Sequence, residues 1–304
     1  MSTTFGITFL GTSAAVPTVK RNVSATLVTY RDLKWLIDCG EGTQRQITRA
    51  GNGFKNLTHV FLSHEHLDHI LGMGGLLATF NMLQPVKRLA VYGNPATLGR
   101  VRQMAGFIGR SLQYDLQWHE ISEGLIYTHR QLDCYAFATK HRVKRSYGFV
   151  FQEKPRRRFQ PEAAERLGIP PGPERRRLLA GESLRGANGQ IVRPDDVLGP
   201  EEPGKKLVYV SDSMYFDGLT EAAAGAHCLI SEATFLQADA ELAAEVGHMT
   251  AAQAASVARD AGVEVLYLNH LSQRYAQAEH LFLEEARRIF PNTHLANDLE
   301  SITV

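Results

Sequence analysis

The sequence predicts an α/β (α+β) domain built from layered sheets, and three observations carry that prediction. Short apolar runs of strand length alternate with helix-periodic stretches along the chain. Several of those runs lead directly into a histidine or an aspartate. A chain of 304 residues with 44% hydrophobic composition is also enough for one large domain with a sizeable core, with or without an insertion.

In chain order, Phe5 to Leu10 reads as the first strand. The opening MSTTFGITFLGTSAAVP has no basic segment ahead of its apolar middle, which argues against a secretory signal. ITFLG, SATLVTY and KWLIDCG read as strands parted by turns, and LTHVFLSH as another with Val60 and Leu62 buried. HILGMGGLLATFNML, residues 69–83, has the apolar spacing of a helix, and RLAVYG returns to strand. Pro95 suits the first turn of a helix through ATLGRVRQMAGFIG, residues 96–109. SYGFVFQ, KLVYVSD, HCLISEAT and VEVLYLNH are strand-like. An Ala-rich helix starts at Thr250 and stops at Gly262, and AEHLFLEEARRIFP forms a last helix ended by Pro291.

The formal net charge is +1, so any positive surface for nucleic acid must be local. Three cysteines, Cys39, Cys134 and Cys228, without Cys-x-x-Cys spacing, point to a reducing compartment and a cytoplasmic protein. No run approaches the ~18 apolar residues of a membrane helix. Glu153 to Lys206 stands apart: it holds eight of the twelve prolines, seven glycines, and twelve basic residues against nine acidic. A solvated linker is the plain reading of such a segment. The turn-rich LGIPPGP followed by the apolar patches RRLLAG and DDVLG favours a small structure presenting basic side chains.

The stretch FLSHEHLDHILGMGG places His64, His66, Asp68 and His69 within six positions. Imidazole and carboxylate at this spacing suit Zn²⁺ or a similar divalent ion. One helix cannot aim all four side chains at one ion, because positions 66, 68 and 69 spread round its circumference. A loop at a strand end can, if it serves two adjacent ions. Four residues do not close two sites, so further ligands are expected after other strands: His141 in ATKHRVKRSYGF, Asp212 in VYVSDS and His270 in LYLNHLSQRY. A lone histidine of this kind is more often a surface or hydrogen-bonded residue; the four-residue cluster is not.

SHEHLDH matches the His-x-His-x-Asp-His signature of the metallo-β-lactamase superfamily, and within it the chain resembles the short-form ribonuclease Z family. PTVKRNVSA, IDCGEGTQRQ, GIPPGP with LLAGES, LISEATF and NHLSQRY resemble further motifs of that family, from residue 5 to about 275. The resemblance implies a four-layer αβ/βα sandwich, residues 1–304, with two metal ions in a cleft and residues 153–206 as an inserted basic arm that binds tRNA. It implies an endoribonuclease that removes the 3′ trailer of precursor tRNA, leaving a tRNA 3′-OH and a trailer 5′-phosphate, and a homodimer.

By resemblance one metal takes His64, His66 and His141, the other takes Asp68, His69 and His270, and Asp212 bridges them. Zn²⁺ is the expected ion, with Mn²⁺ as the alternative. Asp68 accepts a proton or hydrogen bond from the attacking water. Glu232 and His248 protonate the leaving oxygen; their plain reading is a strand-end salt-bridge partner and a polar residue at a helix entry. Asp38 either orients a ligand histidine or ends its strand. Lys20, Arg21 and Asn22 are expected near the RNA 3′ end, Arg274 on a phosphate beside His270, and Arg175, Arg176 and Arg177, with Arg156 to Arg158, on the tRNA elbow.

The chain departs from the family pattern at Ser211-Asp212-Ser213, at Ser231 before Glu232, and at Leu271 after His270, without removing a ligand. The competing expectations are a superfamily hydrolase of small phosphodiesters or sulfate esters, which needs no basic arm, and a non-enzymatic RNA-binding protein with a degenerate site.

Overall fold

The structure is a computed structural model that describes residues 5–108 and 112–304. They form two compact units. The first comprises the described residues up to Gln152 together with Lys205–Val304; the second is Glu153–Gly204.

The first unit begins with the meander β1 (Phe5–Gly11), β2 (Ala25–Tyr30) and β3 (Leu33–Ile37). Helix α1 (Thr43–Arg49) then leads into β4 (Leu57–Phe61). The predicted single helix over 69–83 is instead two, α2 (Leu67–Ile70) and α3 (Met73–Leu83). The break lies at Gly72, whose amide bonds the Cys39 carbonyl instead of continuing the helix. A Cβ there would sit 2.0 Å from the Gly40 carbonyl oxygen, so only glycine permits this approach.

After β5 (Arg88–Gly93), Asn94 caps α4 (Pro95–Gly106) by accepting from the Thr97 amide at 3.0 Å. The helix predicted through Gly109 thus ends at Gly106, and Gly109 itself lies outside the described residues. Strands β6 (Asp115–Glu120), β7 (Gly124–His129) and β8 (Leu132–Thr139) precede β9 (Ser146–Glu153).

The second unit pairs β10 (Arg156–Phe159) with a later strand. Between them lie α5 (Pro161–Arg166), α6 (Pro173–Leu179), β11 (Leu184–Arg185) and β12 (Ile191–Val192), before the partner strand β13 (Leu198–Glu202) closes the pair. Ala164, Ile169, Leu178, Leu184, Val192 and Val197 give it a small core of its own, so it is a folded module and not a linker.

The first unit continues with β14 (Lys206–Val210), α7 (Asp217–Ala223), β15 (Cys228–Glu232), α8 (Ala240–Val246), α9 (Ala251–Asp260), β16 (Val265–Asn269), α10 (His280–Arg287), β17 (Thr293–Leu295) and β18 (Ser301–Thr303). Thr250 caps α9 in a capping box with Gln253, as its position ahead of the Ala-rich run predicts.

Its strands form two seven-stranded sheets, ordered β18-β1-β2-β3-β4-β5-β6 and β17-β16-β15-β14-β9-β8-β7. Phe9, Trp35, Phe61, Phe149, Phe151 and Ile230 from both sheets fill the space between them. The outer face of the first sheet is covered by Ile47, Leu76, Phe80 and Val101 of α1, α3 and α4. That of the second is covered by Leu219, Ala255 and Phe282 of α7, α9 and α10. The layers run helix, sheet, sheet, helix.

β3 to β6 are parallel in the first sheet and β14 to β17 in the second. Asp38, Ser63-His64, Asp212 and His270 follow the carboxyl ends of β3, β4, β14 and β16, and Glu232 ends β15. Carboxyl ends of parallel strands are where open α/β sheets place their chemistry.

Candidate metal centre

The seven expected ligands meet at those strand ends. One ligand atom from each of His64, His66, His141 and Asp212 lies within 4.8 Å of the others, and the same holds for Asp68, His69 and His270. Asp212 stands between the two groups. Its Oδ2 is 3.3 Å from His69 Nε2, 3.6 Å from His64 Nε2 and 3.7 Å from His141 Nε2, while its Oδ1 is 3.4 Å from His270 Nε2. Asp68 Oδ2 is 3.5 Å from His270 Nε2 and 3.6 Å from His69 Nε2. His66 Nδ1 faces His141 Nε2 at 3.2 Å.

The far side of most rings is tied down. His69 Nδ1 donates to Asp38 Oδ2 at 2.7 Å, and His141 Nδ1 to the Gly247 carbonyl at 2.7 Å. His64 Nδ1 is 3.0 Å from Ser63 Oγ, and His270 Nδ1 is 3.0 Å from Thr234 Oγ1. Asp38 also accepts from the Ser63 amide and hydroxyl, so it orients His69 in addition to ending its strand. Asp38 and His270 adopt the left-handed region, φ 56 and 60, which costs a non-glycine residue roughly 1–2 kcal/mol. Such strain is held where a side chain must be aimed.

These residues fit divalent cations. The Nε2 atoms of His64, His69 and His270 and Oδ1 of Asp212 are buried with no hydrogen-bond partner, although buried polar atoms are nearly always satisfied. Burial, then the neighbouring imidazoles, hold His64 well below its ordinary value. Burial likewise lowers His66 and His141, leaving lone pairs free to coordinate. At His69 burial opposes the charged form, but Asp212, Asp68 and Asp38 together hold it well above its ordinary value. That surplus of negative charge is what a cation neutralises.

Beside the two groups lies a carboxylate–imidazole pair. Glu232 is 1% exposed and its Oε1 is 2.9 Å from His248 Nδ1. Glu232 also accepts from the amides of Ser213, Thr234 and Met249 and from the Thr234 hydroxyl. Burial disfavours a charged His248, yet Glu232 outweighs it and pushes the imidazole up to about 9. A cavity of about 340 Å³ is lined by His66, Asp68, His141, Asp212, His248 and His270.

The remaining expected contacts divide. Lys20 is exposed and lines a second cavity, of about 600 Å³, with Pro17, Val19 and Gln273. Asn22 donates its side-chain amide to the Glu41 carbonyl, and Arg274 is exposed. Arg21 corrects the expectation: it is 5% exposed, its guanidinium bonded to Glu279, Thr12, Asn297 and the Ala296 carbonyl, so no donor is left for RNA.

Arg175 is a second correction. It bonds Glu165 and the Ile169 carbonyl and lies over the Phe159 ring, which makes it part of the arm's own packing. Arg177 is exposed but paired with Glu182, whereas Arg176 is exposed with no ion pair among the described residues. The arm is also less basic than Glu153–Lys206 suggests, because Lys205 and Lys206 belong to the first unit. Glu153–Gly204 holds ten basic residues against nine acidic.

Sequence reasoning missed Thr234, Gly247, Ala15 and Arg142. Thr234 touches Glu232 and His270 at once, and its position two residues after Glu232 was the available signal. Gly247, with φ +84, brings its carbonyl to His141; a Cβ there would lie 3.0 Å from His141 Nδ1. Ala15 donates its amide to Asp68 Oδ2 at 2.9 Å, and Arg142 lines the cavity next to His141.

Paired sheets between helices, with histidine and aspartate gathered at the strand ends, are the architecture of a metallo-β-lactamase-fold hydrolase. The profile described as beta-lactamase superfamily domain matches residues 193–271, and that of the anti-Pycsar protein Apyc1 family matches residues 5–159. The chain is 42% identical to the ribonuclease Z of Bradyrhizobium diazoefficiens over 99% of this chain and 100% of that one. It is 41% identical to the ribonuclease Z of Archaeoglobus fulgidus over 99% and 98%. The chain belongs to the ribonuclease Z family. Among solved structures, the short form of human tRNase Z superposes with a TM-score of 0.71 at 24% identity, covering 98% of each chain. A metallo-β-lactamase-fold protein of Bacillus subtilis gives a TM-score of 0.70 at 19% identity, covering 99% of this chain and all of that one. Among the described residues no helix is long and apolar enough to cross a membrane.

Proposed function

We propose that this chain removes the 3′ trailer of precursor tRNA by endonucleolytic cleavage, leaving a tRNA 3′-OH and a trailer 5′-phosphate. The observation that carries the reading is the shared cavity: residues of the cation cradle line it together with His248, whose Nδ1 is held by the buried Glu232, in a chain alike over its full length to proteins named ribonuclease Z. His64, His66 and His141 would hold one ion, Asp68, His69 and His270 the other, and Asp212 both. Five imidazoles favour Zn²⁺, with Mn²⁺ as the alternative. When bound, such ions would supply charge neutralisation at the phosphate and a water acidified toward neutral pH.

The chain's residues do the rest. Asp68, steadied by the Ala15 amide, accepts the hydrogen bond or proton of the attacking water. His248, held protonated near neutral pH by Glu232, donates its proton to the departing 3′ oxygen. Arg142, which lines the cavity, and Arg274 contact phosphate. Lys20 and Asn22 lie toward the RNA 3′ end.

In the arm, Arg176 is the cation best placed to grip tRNA phosphates, with Arg177 and the Arg156 to Arg158 run held to acidic neighbours inside the arm. Exposed Met82, Leu83 and Phe107, at the ends of α3 and α4, support a homodimer. Three free, buried cysteines support a reducing, cytoplasmic location.

The test incubates purified protein with a pre-tRNA bearing a 3′ trailer, with and without chelator, and maps the ends. A second protein replaces residues 155–203 by a short linker. It should lose pre-tRNA cleavage and keep hydrolysis of bis(p-nitrophenyl) phosphate. Equal loss of both, or no cut at the trailer junction, overturns the reading in favour of a small-diester hydrolase.

A further inference from the structure

Asp68 is held by an unusual support. The amide on its Oδ2 belongs to Ala15, a non-glycine residue at φ 60 in the left-handed region. Alanine stays there only if the surrounding chain fixes it. On one side the Ala14 amide bonds the Leu271 carbonyl and the Leu271 amide bonds the Thr12 carbonyl, which ties the loop to the residue after His270. On the other, the Ser13 amide bonds the Asn22 carbonyl.

What closes this loop is Arg21. Its Nε and Nη2 reach the two oxygens of Glu279, each at 2.8 Å, a bidentate pair. Its Nη1 donates at 2.6 Å to Thr12 Oγ1 and at 2.6 Å to the Ala296 carbonyl, and Nη2 reaches Asn297 Oδ1 at 3.0 Å. Asp298 completes the knot by accepting from the Thr12 hydroxyl, the Asn22 amide and the Gln46 side chain.

We infer that Arg21, clamped by Glu279, is a positioning residue that holds the Ala15 amide on Asp68 and the Thr12–Leu271 tie beside His270, and so fixes the ligand geometry of one cation without touching RNA. This rests on the reading of Asp68 and His270 as cation ligands. Lysine keeps the charge at position 21 but cannot span five acceptors, so Arg21→Lys is the incisive variant. Glu279→Gln weakens the same clamp from the far side and serves if Arg21→Lys does not fold.

The test measures pre-tRNA and bis(p-nitrophenyl) phosphate cleavage, salt dependence, melting temperature, and the rate at which Zn²⁺-loaded protein yields its metal to a chromogenic chelator. Both variants should show kcat lowered about tenfold on both substrates and metal released about 10-fold faster or more, the range seen when the support of a ligand is removed. KM for pre-tRNA and the salt slope should stay at their wild-type values.

A raised KM with a shallower salt slope and intact small-diester turnover would make Arg21 an RNA contact and overturn the inference. So would a lower melting temperature with unchanged kcat and metal release, which is a purely structural role. If the wild-type protein does not cut pre-tRNA, the functional reading fails by itself. The release rate then decides the brace: faster release supports it, unchanged release rejects it.

Discussion

Strand β4 feeds two groups of histidines, and only one has the makings of a cation site. His59 lies within the strand, against the rings of Tyr127 at 4.3 Å and Tyr92 at 5.9 Å, with His119 and His129 stacked on the same two tyrosines. His64 lies three residues beyond the strand, 4.2 Å from His69 and 4.6 Å from His66. Ring spacing does not separate the two groups; the company does. Among the described residues none of His59, His119 and His129 is ion-paired, and the His59 Nδ1 is 2.8 Å from the Thr58 hydroxyl. In the other group Asp212 and Asp68 sit between the Nε2 atoms, and Asp38 fixes the ring of His69. Interleaved carboxylates, and imidazoles anchored by one nitrogen with the other left bare, turn a histidine cluster into a cradle for cations.

The largest expected effect tests that distinction directly. Asp212→Asn keeps the shape of the bridging residue and removes its charge. Pre-tRNA cleavage should fall roughly 10³-fold, several kcal/mol of transition-state stabilisation, and metal analysis should find one ion or none per chain against an expected two for the wild type. His59→Gln should change neither. Were the His59→Gln protein short of metal, the aromatic histidine group would belong to the centre after all.

His248 sharpens the comparison from inside the site, because it lies within ligand reach of Asp212 and His270 yet is bonded through Nδ1 to Glu232, the partner that the proposed acid role requires. Replaced by asparagine, it should cost about 10²-fold or more on pre-tRNA, the span of general acid catalysis, with metal content unchanged. A p-nitrophenyl diester, whose leaving group needs no proton, should lose much less. Equal loss on both substrates would remove His248 from the role of acid.

Much of this was legible in the sequence, and the reasons differ by region. The strand runs before Asp38, His64, Asp212 and His270 are short and apolar, so their ends announced themselves, and the residues at those ends came with them. Strands β6 to β8 were not anticipated: half-exposed residues such as Gln117, His119 and Tyr127 blur the alternation that marks a strand. The helix over 69–83 looked continuous because its apolar spacing carries across Gly72, and the amide that leaves it bonds a partner some thirty residues away. Arg21 shows the deeper limit. A loop arginine beside Lys20 reads as a solvent-facing cation, and nothing local reveals that Glu279 and residues 296–298, contributed from the far end of the chain, surround it.

The smallest effect concerns the histidines that hold no ion. Burial, then the adjoining His119 and His129 imidazoles, lowers His59 from 6.5 to about 4. Between those two values the unfolded chain carries more protons on this residue than the folded one, so stability rises with pH across the window. The contribution is therefore complete above about 6.5 and disappears as acid takes the pH down through about 4. Its size is on the order of 3 kcal/mol. In His59→Gln the residue no longer titrates, so its melting temperature should fall less than the wild type's between about pH 7 and about pH 4.5. Both proteins carry the same cation ligands, whose own response to acid cancels when the two profiles are subtracted. Parallel profiles would mean that His59 is as easily protonated in the folded chain as in the unfolded one, and the contrast between a histidine kept neutral by burial among aromatic rings and a histidine group organised by carboxylates would lose its first half.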